Sequence, residues 1–401
     1  MAEMNAGDSQ ERNLINTDGE HPELSVVMPC LNEEEGLAGS IRSIRSIFLQ
    51  EGIDGEIVVS DNGSTDNSRR IALAEGCRVV EEPVRGYGAA YLRGLSAARG
   101  DLIIMADSDH TYDFGAIPDF VRRLREGCDL VMGSRFKGTI HRGAMPWARR
   151  YIGNPVLSSM TRLLFRTRLS DIHCGMRGLR RSAVERMNLQ MPGMEFATEM
   201  VVAAVNSGLR IAEVPVNYFP RKGTSKLNPF TDAWRHVRFM LLLSPRWLYF
   251  IPGLTGFIAG MLILLIRASG AAIYPGRRWD LLPMAGSAVL CIFSSQLLHL
   301  GLYAQTFAAD QGILKPGACL TRFRRCFSLE RGVAAGVLLV IVSLAIGVFI
   351  SIRSDAGDSG GIGALILPMT LLVIGLQTVF SSFLLSLLSL RRKPSGRREV
   401  K

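Results

Sequence analysis

Two carboxylates one residue apart, Asp107 and Asp109, close the run Leu102-Ile103-Ile104-Met105-Ala106. Four apolar residues make a short buried strand, and the acids sit where it leaves the sheet. Carboxylate oxygens in that position suit Mg2+ or Mn2+, and such an ion grips the diphosphate of a nucleotide substrate. A D-x-D pair also caps helices and fixes turns in ordinary loops, so its meaning depends on what the rest of the chain places around it.

The elements that must position this pair alternate. Leu24 to Cys30 reads as a first strand, and the acids Glu33-Glu34-Glu35 suit the start of a helix running to about Gln50. Glu56 to Ser60 is a second strand, followed by the turn Asp61-Asn62-Gly63-Ser64-Thr65-Asp66, and Arg78-Val79-Val80 is a third. Gly86 and Gly88 open a helix that reaches Gly100, just before the central strand. This rhythm predicts an α/β domain with a mostly parallel, Rossmann-like sheet and chemistry at the carboxyl ends of its strands. The Gly86-x-Gly88 step lacks the third glycine of a dinucleotide fingerprint.

Further on, Asp129 to Arg135 reads as a strand ending in a cation, and Met145 to Arg168 as a basic helical stretch containing Arg149 and Arg150. Asp171 and Arg177 flank the segment Ile172-His173-Cys174-Gly175-Met176, and Glu195 and Glu199 share one helix face. Ile211 to Phe219 contains Pro215 and reads as an edge strand. Arg221 to Lys226 forms a basic loop. Phe230 to Leu243 mixes Trp234, Phe239 and Met240 with Arg235, His236 and Arg238, the pattern of an interfacial helix.

The 401 residues exceed one ordinary domain, and composition changes near residue 245. Residues 1–23 read as a disordered tail without a signal peptide, 24–228 as the α/β domain and 229–246 as an amphipathic juxtamembrane helix. Residues 247–390 read as a helical membrane domain and 391–401 as a basic cytoplasmic tail. Four runs near 247–266, 281–303, 333–352 and 362–388 reach the roughly 20 apolar residues that cross a bilayer. Lys315, Arg322, Arg324, Arg325, Arg331 and the basic tail place the second connector and the C-terminus in the cytoplasm with the α/β domain. Arg267, Arg277 and Arg278, in the first connector, run against that orientation. Gln296 and His299 are polar residues within the second span.

The net charge of +10 gathers beside the apolar runs, which favours anionic lipid over nucleic acid, since aromatic stacking platforms are missing. Seven scattered cysteines without a C-x-x-C pair indicate neither zinc nor a disulfide framework.

Taken in order, Val27-x-Pro29-x-x-Asn32-Glu33, Val59-Ser60-Asp61-Asn62-Gly63-Ser64-Thr65-Asp66, Gly86-x-Gly88-Ala89-Ala90 and Asp107-x-Asp109 resemble the family-2 glycosyltransferases of the glycosyltransferase A fold. Gly133-Ser134-Arg135, Cys174-Gly175-Met176-Arg177, Glu195-Phe196-x-x-Glu199 and Ser225-Lys226 are similar to the polyprenyl-phosphate branch, the dolichol-phosphate mannose and glucose synthases. The resemblance implies that Pro29, Asn32, Glu33, Asp61, Gly86 and Gly88 line the nucleotide-sugar pocket, and that Asp107 and Asp109 hold Mg2+ or Mn2+ on the diphosphate. It implies that Arg135, Arg149, Arg150 and Lys226 meet the acceptor phosphate, with Asp109, Arg135 and Lys226 as the catalytic set. Asp171, Arg177 and Glu199 then organise the sugar or the cations. The chain departs from the family at Asn62, at Tyr87 and at His110, the last a candidate for the metal shell.

The expected reaction is inverting transfer of a hexose from a UDP- or GDP-sugar to a membrane polyprenyl phosphate, in a bacterial plasma membrane. A lipid phosphate is already anionic and attacks without a general base, whereas a sugar hydroxyl needs one. The alternatives are a hydroxyl acceptor on a glycolipid or polysaccharide, a non-catalytic lipid-carrier flippase or scaffold, and a membrane-anchored sugar-nucleotide binder. A processive polysaccharide synthase would carry Q-x-x-R-W, but Leu243 stands where glutamine would precede Arg246-Trp247. Homo-oligomers built through the spans are compatible with this reading.

Overall fold

The computed structural model describes residues 21–221, 229–268, 281–310, 318–353 and 365–388. Most of the expected N-terminal tail, the C-terminal tail, Lys226, Arg277, Arg278 and Lys315 lie outside the described residues. The chain divides into two units, Met1–Met240 and Leu241–Lys401.

The first unit is built on a seven-stranded sheet of order β3-β2-β1-β4-β6-β5-β7. Its strands are β1 (Leu24–Cys30), β2 (Gly55–Asp61), β3 (Arg78–Glu81), β4 (Leu102–Met105), β5 (Leu130–Ser134), β6 (Arg177–Arg180) and β7 (Ile211–Pro215). β1 and β4 are fully apolar or nearly so and almost entirely buried, as a strand covered on both faces requires. Helices α1 (Glu34–Glu51), α2 (Ser68–Ala74) and α3 (Tyr87–Ala97) follow β1, β2 and β3, and α4 (Ile117–Arg125) follows β4. One core gathers Leu37, Ile41, Ile44 and Phe120 on one face, and a second gathers Tyr91, Phe196, Met200 and Val201 on the other.

All neighbouring strands are parallel except around β6, which runs antiparallel between β4 and β5. Sequence reading leaves Arg177 to Arg180 unassigned, because four residues with an arginine at each end carry no strand signal. β7 is the edge strand its proline predicts and ends at Pro215, short of Phe219, although the Val216 N–H still donates to the Ser134 carbonyl of β5 at 3.1 Å. Helix α5 (Asn154–Phe165) follows a π-helical turn, Arg149–Gly153, and α6 (Arg181–Met187) and α7 (Phe196–Asn206) precede β7.

Helix α8 (Pro229–Leu242) carries the expected amphipathic pattern. His236 and Met240 are buried while Trp234 is exposed, so one face packs on the domain. His236 Nδ1 lies 2.8 Å from the Thr198 hydroxyl and Met240 Sδ accepts a bond from Thr161 at 2.9 Å.

In the second unit, α9 (Ile251–Ala268), α10 (Leu281–Asp310), α12 (Leu329–Arg353) and α13 (Ile366–Leu388) are the long helices, with the short α11 (Ala318–Cys326) between α10 and α12. Among the described residues four stretches are long and apolar enough to cross a membrane: Arg246–Arg267, Leu281–Asp310, Leu329–Ile352 and Ile366–Leu388. Small residues sit where they cross. A methyl on Gly336 would stand 2.8 Å from the Gly375 carbonyl, and one on Gly375 would stand 2.9 Å from that of Gly336. Ile352, Phe380 and Leu282 point outward, as lipid-facing side chains do.

Candidate active site

β1, β2 and β4 end side by side, Cys30 opposite Asp61 and Val27 opposite Met105, so the loops that follow them converge. Ser108 donates to the Pro29 carbonyl at 2.9 Å, tying the two loops together. Asn32 takes a left-handed φ of 52°. Its side-chain oxygen accepts the Thr65 N–H at 2.7 Å, and its own N–H donates to Ser64 Oγ at 3.0 Å. Asp61 is buried and accepts the Ser64 N–H at 3.1 Å. Asn62 replaces an acid by bridging: its amide donates to the Glu82 and Val84 carbonyls, and its oxygen accepts the Gly86 N–H at 2.8 Å. Pro29, Asn32, Glu33 and Asp61 therefore lie together where β1 and β2 end and the loops after them are tied to each other.

The two acids are held by different partners. Asp107 Oδ1 accepts from Tyr91 at 3.0 Å and Tyr87 at 3.3 Å. Burial, and then the charge of Asp109, push Asp107 up to about 6. Asp109 Oδ1 accepts the Thr111 hydroxyl at 2.6 Å and its N–H at 3.2 Å. The intervening His110 sits in the left-handed region at φ 61°, a strain of about 1 kcal/mol or more that the surrounding structure must hold. Its ring lies 3.5 Å from Ser40 Oγ and 6.3 Å from the Phe114 ring centroid, so its described contacts are with α1 and the residues before α4.

One cation already faces the acids. Arg221 lies 2.6 Å from Glu33 Oε1 through Nη2 and 3.4 Å from Asp109 Oδ2 through Nε. In the sequence Arg221 is only part of a basic loop, and nothing in the spacing distinguishes it from its neighbours. Glu33, Asp107 and Asp109 with Arg221 make a site where negative charge converges on a cation. Among the described residues no group of three or more His, Cys, Asp or Glu is placed to hold a metal ion. The pair Asp107 and Asp109 offers hard oxygen donors of the kind a divalent ion takes, and an ion held there would draw its remaining ligands from water and substrate phosphate.

Gly175 forms the floor. A methyl there would press on Asp107 Oδ2 and stand 3.0 Å from the Tyr112 hydroxyl, which accepts the Gly175 N–H at 2.7 Å. Gly86 and Gly88 likewise allow a close approach, since a side chain on Gly86 would strike the Pro192 carbonyl, and one on Gly88 the Met191 carbonyl. The 190–192 loop is anchored by Glu199, whose carboxylate accepts the Gln190 and Met191 N–H groups at 3.0 and 2.9 Å. Burial raises the Glu199 pKa, and the two N–H groups oppose it.

Arg135 and Asp171 form one buried unit. Nε and Nη2 donate to the two Asp171 oxygens at 2.7 and 2.9 Å, and Asp171 also accepts the Arg135 N–H. Burial alone would raise the Asp171 pKa, but the Arg135 charge and bonds hold it below the usual carboxylate range. The guanidinium also lies 5.2 Å from the Tyr218 ring centroid. Arg177 is buried and donates to the Cys174, Ala197 and Ile172 carbonyls, so it clips the 171–177 segment in place. Arg149 and Arg150 lie on the π-helical turn, with Arg150 5.4 Å from the Tyr151 ring centroid.

Residues 25–187 match the family described as glycosyl transferase family 2, and residues 302–389 match its C-terminal transmembrane region. The chain is 38% identical over 371 residues to the low-salt glycan biosynthesis hexosyltransferase Agl6 of Haloferax volcanii, covering 91% of this chain and 88% of the relative. It belongs to glycosyl transferase family 2. As a family-2 member it is a glycosyltransferase with a membrane region. It is also 32% identical over 215 residues to the dolichyl-phosphate hexose transferase of the same organism, covering 53% of this chain and 89% of that one. Among solved structures, glucosyl-3-phosphoglycerate synthase from Mycobacterium tuberculosis, in complex with Mn2+ and UDP-glucose, aligns over 55% of this chain and 78% of that chain at 25% identity and a TM-score of 0.43.

Proposed function

We propose that this family-2 enzyme transfers a hexose from a UDP- or GDP-sugar to a membrane polyprenyl phosphate with inversion at the anomeric carbon. One observation carries the choice of acceptor. A hydroxyl acceptor needs a general base, and the two carboxylates considered for that role are engaged: Asp171 by Arg135, Glu199 by two backbone N–H groups. A phosphate acceptor needs none. The relative named a dolichyl-phosphate hexose transferase and the four apolar spans support the same reading.

In this reading Pro29, Asn32 and Asp61 hold the nucleoside, and Asp107, Asp109 and Glu33 face its diphosphate. Asp107 and Asp109 would hold Mg2+ or Mn2+, which when bound would supply positive charge against the departing diphosphate. Arg221 turns from Asp109 to the diphosphate when the donor binds. A lipid-phosphate oxygen attacks the anomeric carbon, the bond from that carbon to the diphosphate oxygen breaks, and the nucleoside diphosphate leaves with the electron pair. The Arg135–Asp171 pair is nearly neutral as a unit and sets the shape of the acceptor side, while Arg149, Arg150 and Lys226 bring charge to the lipid phosphate. The catalytic domain faces the cytoplasm, where nucleotide sugars are made.

The test is transfer by the purified full chain from labelled UDP- and GDP-sugars to polyprenyl phosphate, polyprenol and glycolipid. An acid-labile product formed with polyprenyl phosphate alone is expected. Label entering only polyprenol or a glycolipid would overturn the acceptor.

A further inference from the structure

Large apolar side chains on the surface of the first unit gather on one segment. Trp147, Tyr151, Ile152, Val156 and Leu163 are each between 51% and 67% exposed, and they run from just before the π-helical turn through α5. Ile152, Val156, Ser159 and Leu163 recur at i, i+4, i+7 and i+11, so they form one stripe along the helix. The other side of α5 is occupied. Leu157, Ser158, Thr161 and Phe165 are buried, and Thr161 donates to Met240 Sδ of α8 at 2.9 Å. The helix is therefore seated on its own domain and turns an apolar stripe outward.

Charge on this segment is one-sided. Residues 136–170 contain no Asp or Glu, although the chain carries 36, and they hold Lys137 and six arginines. Of these cations only Lys137 forms an ion pair among the described residues, with Glu213. Arg142, Arg162 and Arg166 are exposed, and Arg162 donates to Ser159 Oγ at 2.7 Å, which sets its charge beside the stripe.

Three observations choose the occupant. Two copies meeting on this stripe would oppose arginines to arginines with no acid to offset them. The stripe spans 11 residues, about 17 Å of helix, and at a helix width of about 10 Å it offers on the order of 170 Å2, far short of the roughly 800 Å2 that each partner gives to a stable protein interface. Met240, bonded to Thr161, precedes Arg246 by six residues, and Arg246 begins the first stretch able to cross a membrane. Six residues reach at most about 21 Å, so chain connection alone keeps α5 near a bilayer surface. Aliphatic side chains flanked by Trp, Tyr and unpaired arginines are what such a surface binds.

We propose that α5 and the turn before it form a docking face for an anionic phospholipid bilayer. Trp147, Tyr151, Ile152, Val156 and Leu163 enter the boundary between headgroups and acyl chains, and Arg142, Arg162 and Arg166 meet lipid phosphates. The ligand is the bulk lipid surface, so the face stands whichever acceptor the enzyme uses.

The experiment is photolabelling of the full chain in nanodiscs that contain a phospholipid with a diazirine near its glycerol, mapped by peptide mass spectrometry. Discs of phosphatidylcholine alone are compared with discs that include phosphatidylglycerol. Label on peptides from 147–163 is expected to be about tenfold higher with phosphatidylglycerol and to fall as salt is added, while peptides from the four apolar stretches label equally in both and serve as the internal standard. Val156→Ser with Leu163→Ser, and separately Arg162→Gln with Arg166→Gln, should each lower the 147–163 label about tenfold without changing the unfolding temperature, since all four side chains are exposed. Absence of label on 147–163 while the apolar stretches label, equal label in the two kinds of disc, or unchanged label in both double variants would overturn the face. Cross-linking of this segment to a second copy in place of lipid label would overturn it in favour of self-association.

Discussion

Gly175→Ala places a single methyl group against one carboxylate of the candidate metal pair. The backbone tolerates it, because Gly175 is not in the left-handed region. The side chain does not: its Cβ would press on Asp107 Oδ2 and stand 3.1 Å from Asp107 Cγ, where carbon contacts settle at about 3.5–4.0 Å. Asp107 has little freedom to yield, since Tyr91 and Tyr87 hold its other oxygen at 3.0 and 3.3 Å. The carboxylate must therefore move by roughly 1 Å, a misplacement that costs about 100-fold in turnover when it falls on a positioned catalytic group. Mn2+ binding followed by electron paramagnetic resonance should weaken alongside kcat/KM, while thermal unfolding in detergent changes little. Wild-type metal affinity and turnover in Gly175→Ala would refute the placement of Asp107 on the ion.

Arg221→Gln removes the cation that faces Asp109 at 3.4 Å, so Mn2+ should bind the nucleotide-free protein about three- to tenfold more tightly, since the partly exposed pair is screened. Unchanged Mn2+ affinity would show that Arg221 does not stand where the ion goes. Both ring nitrogens of His173 are buried and unbonded, and burial, then the His236 charge, hold its pKa well below 6.5 despite Asp171. The unfolded chain then binds a proton that the folded one refuses, so stability is full above pH 6.5 and falls by about 1.4 kcal/mol per unit below it. Thermal unfolding from pH 7.5 to 5 should show this slope, and His173→Leu should flatten it; an equal slope in both would refute the assignment.

Much of the nucleotide half of the fold is legible in the sequence because its strands are short apolar runs between turn residues. β1, β2 and β4 and the acids after them follow from pattern alone. The four spans are legible for the same reason of length and apolarity. What pattern cannot supply is pairing. β6 reads as an arginine-bounded fragment, and only its neighbours β4 and β5 make it a strand. Arg135 and Asp171 are 36 residues apart, and nothing local indicates that one neutralises the other. Arg221 is one basic residue in a basic loop until the fold brings it 188 residues back to Glu33. The glycines 86, 88 and 175 carry a signal of another kind, since each marks a close approach whose partner the sequence does not name.

The most direct test of metal-assisted transfer is Asp109→Asn in the full chain, assayed for hexose transfer to polyprenyl phosphate over a Mn2+ and Mg2+ titration. The substitution keeps the side-chain volume and removes the charge that faces the ion. Transfer should fall by about 100-fold or more, with intact membrane insertion and unfolding temperature. Wild-type turnover with an unshifted metal dependence would contradict the assignment of Asp109 to the ion.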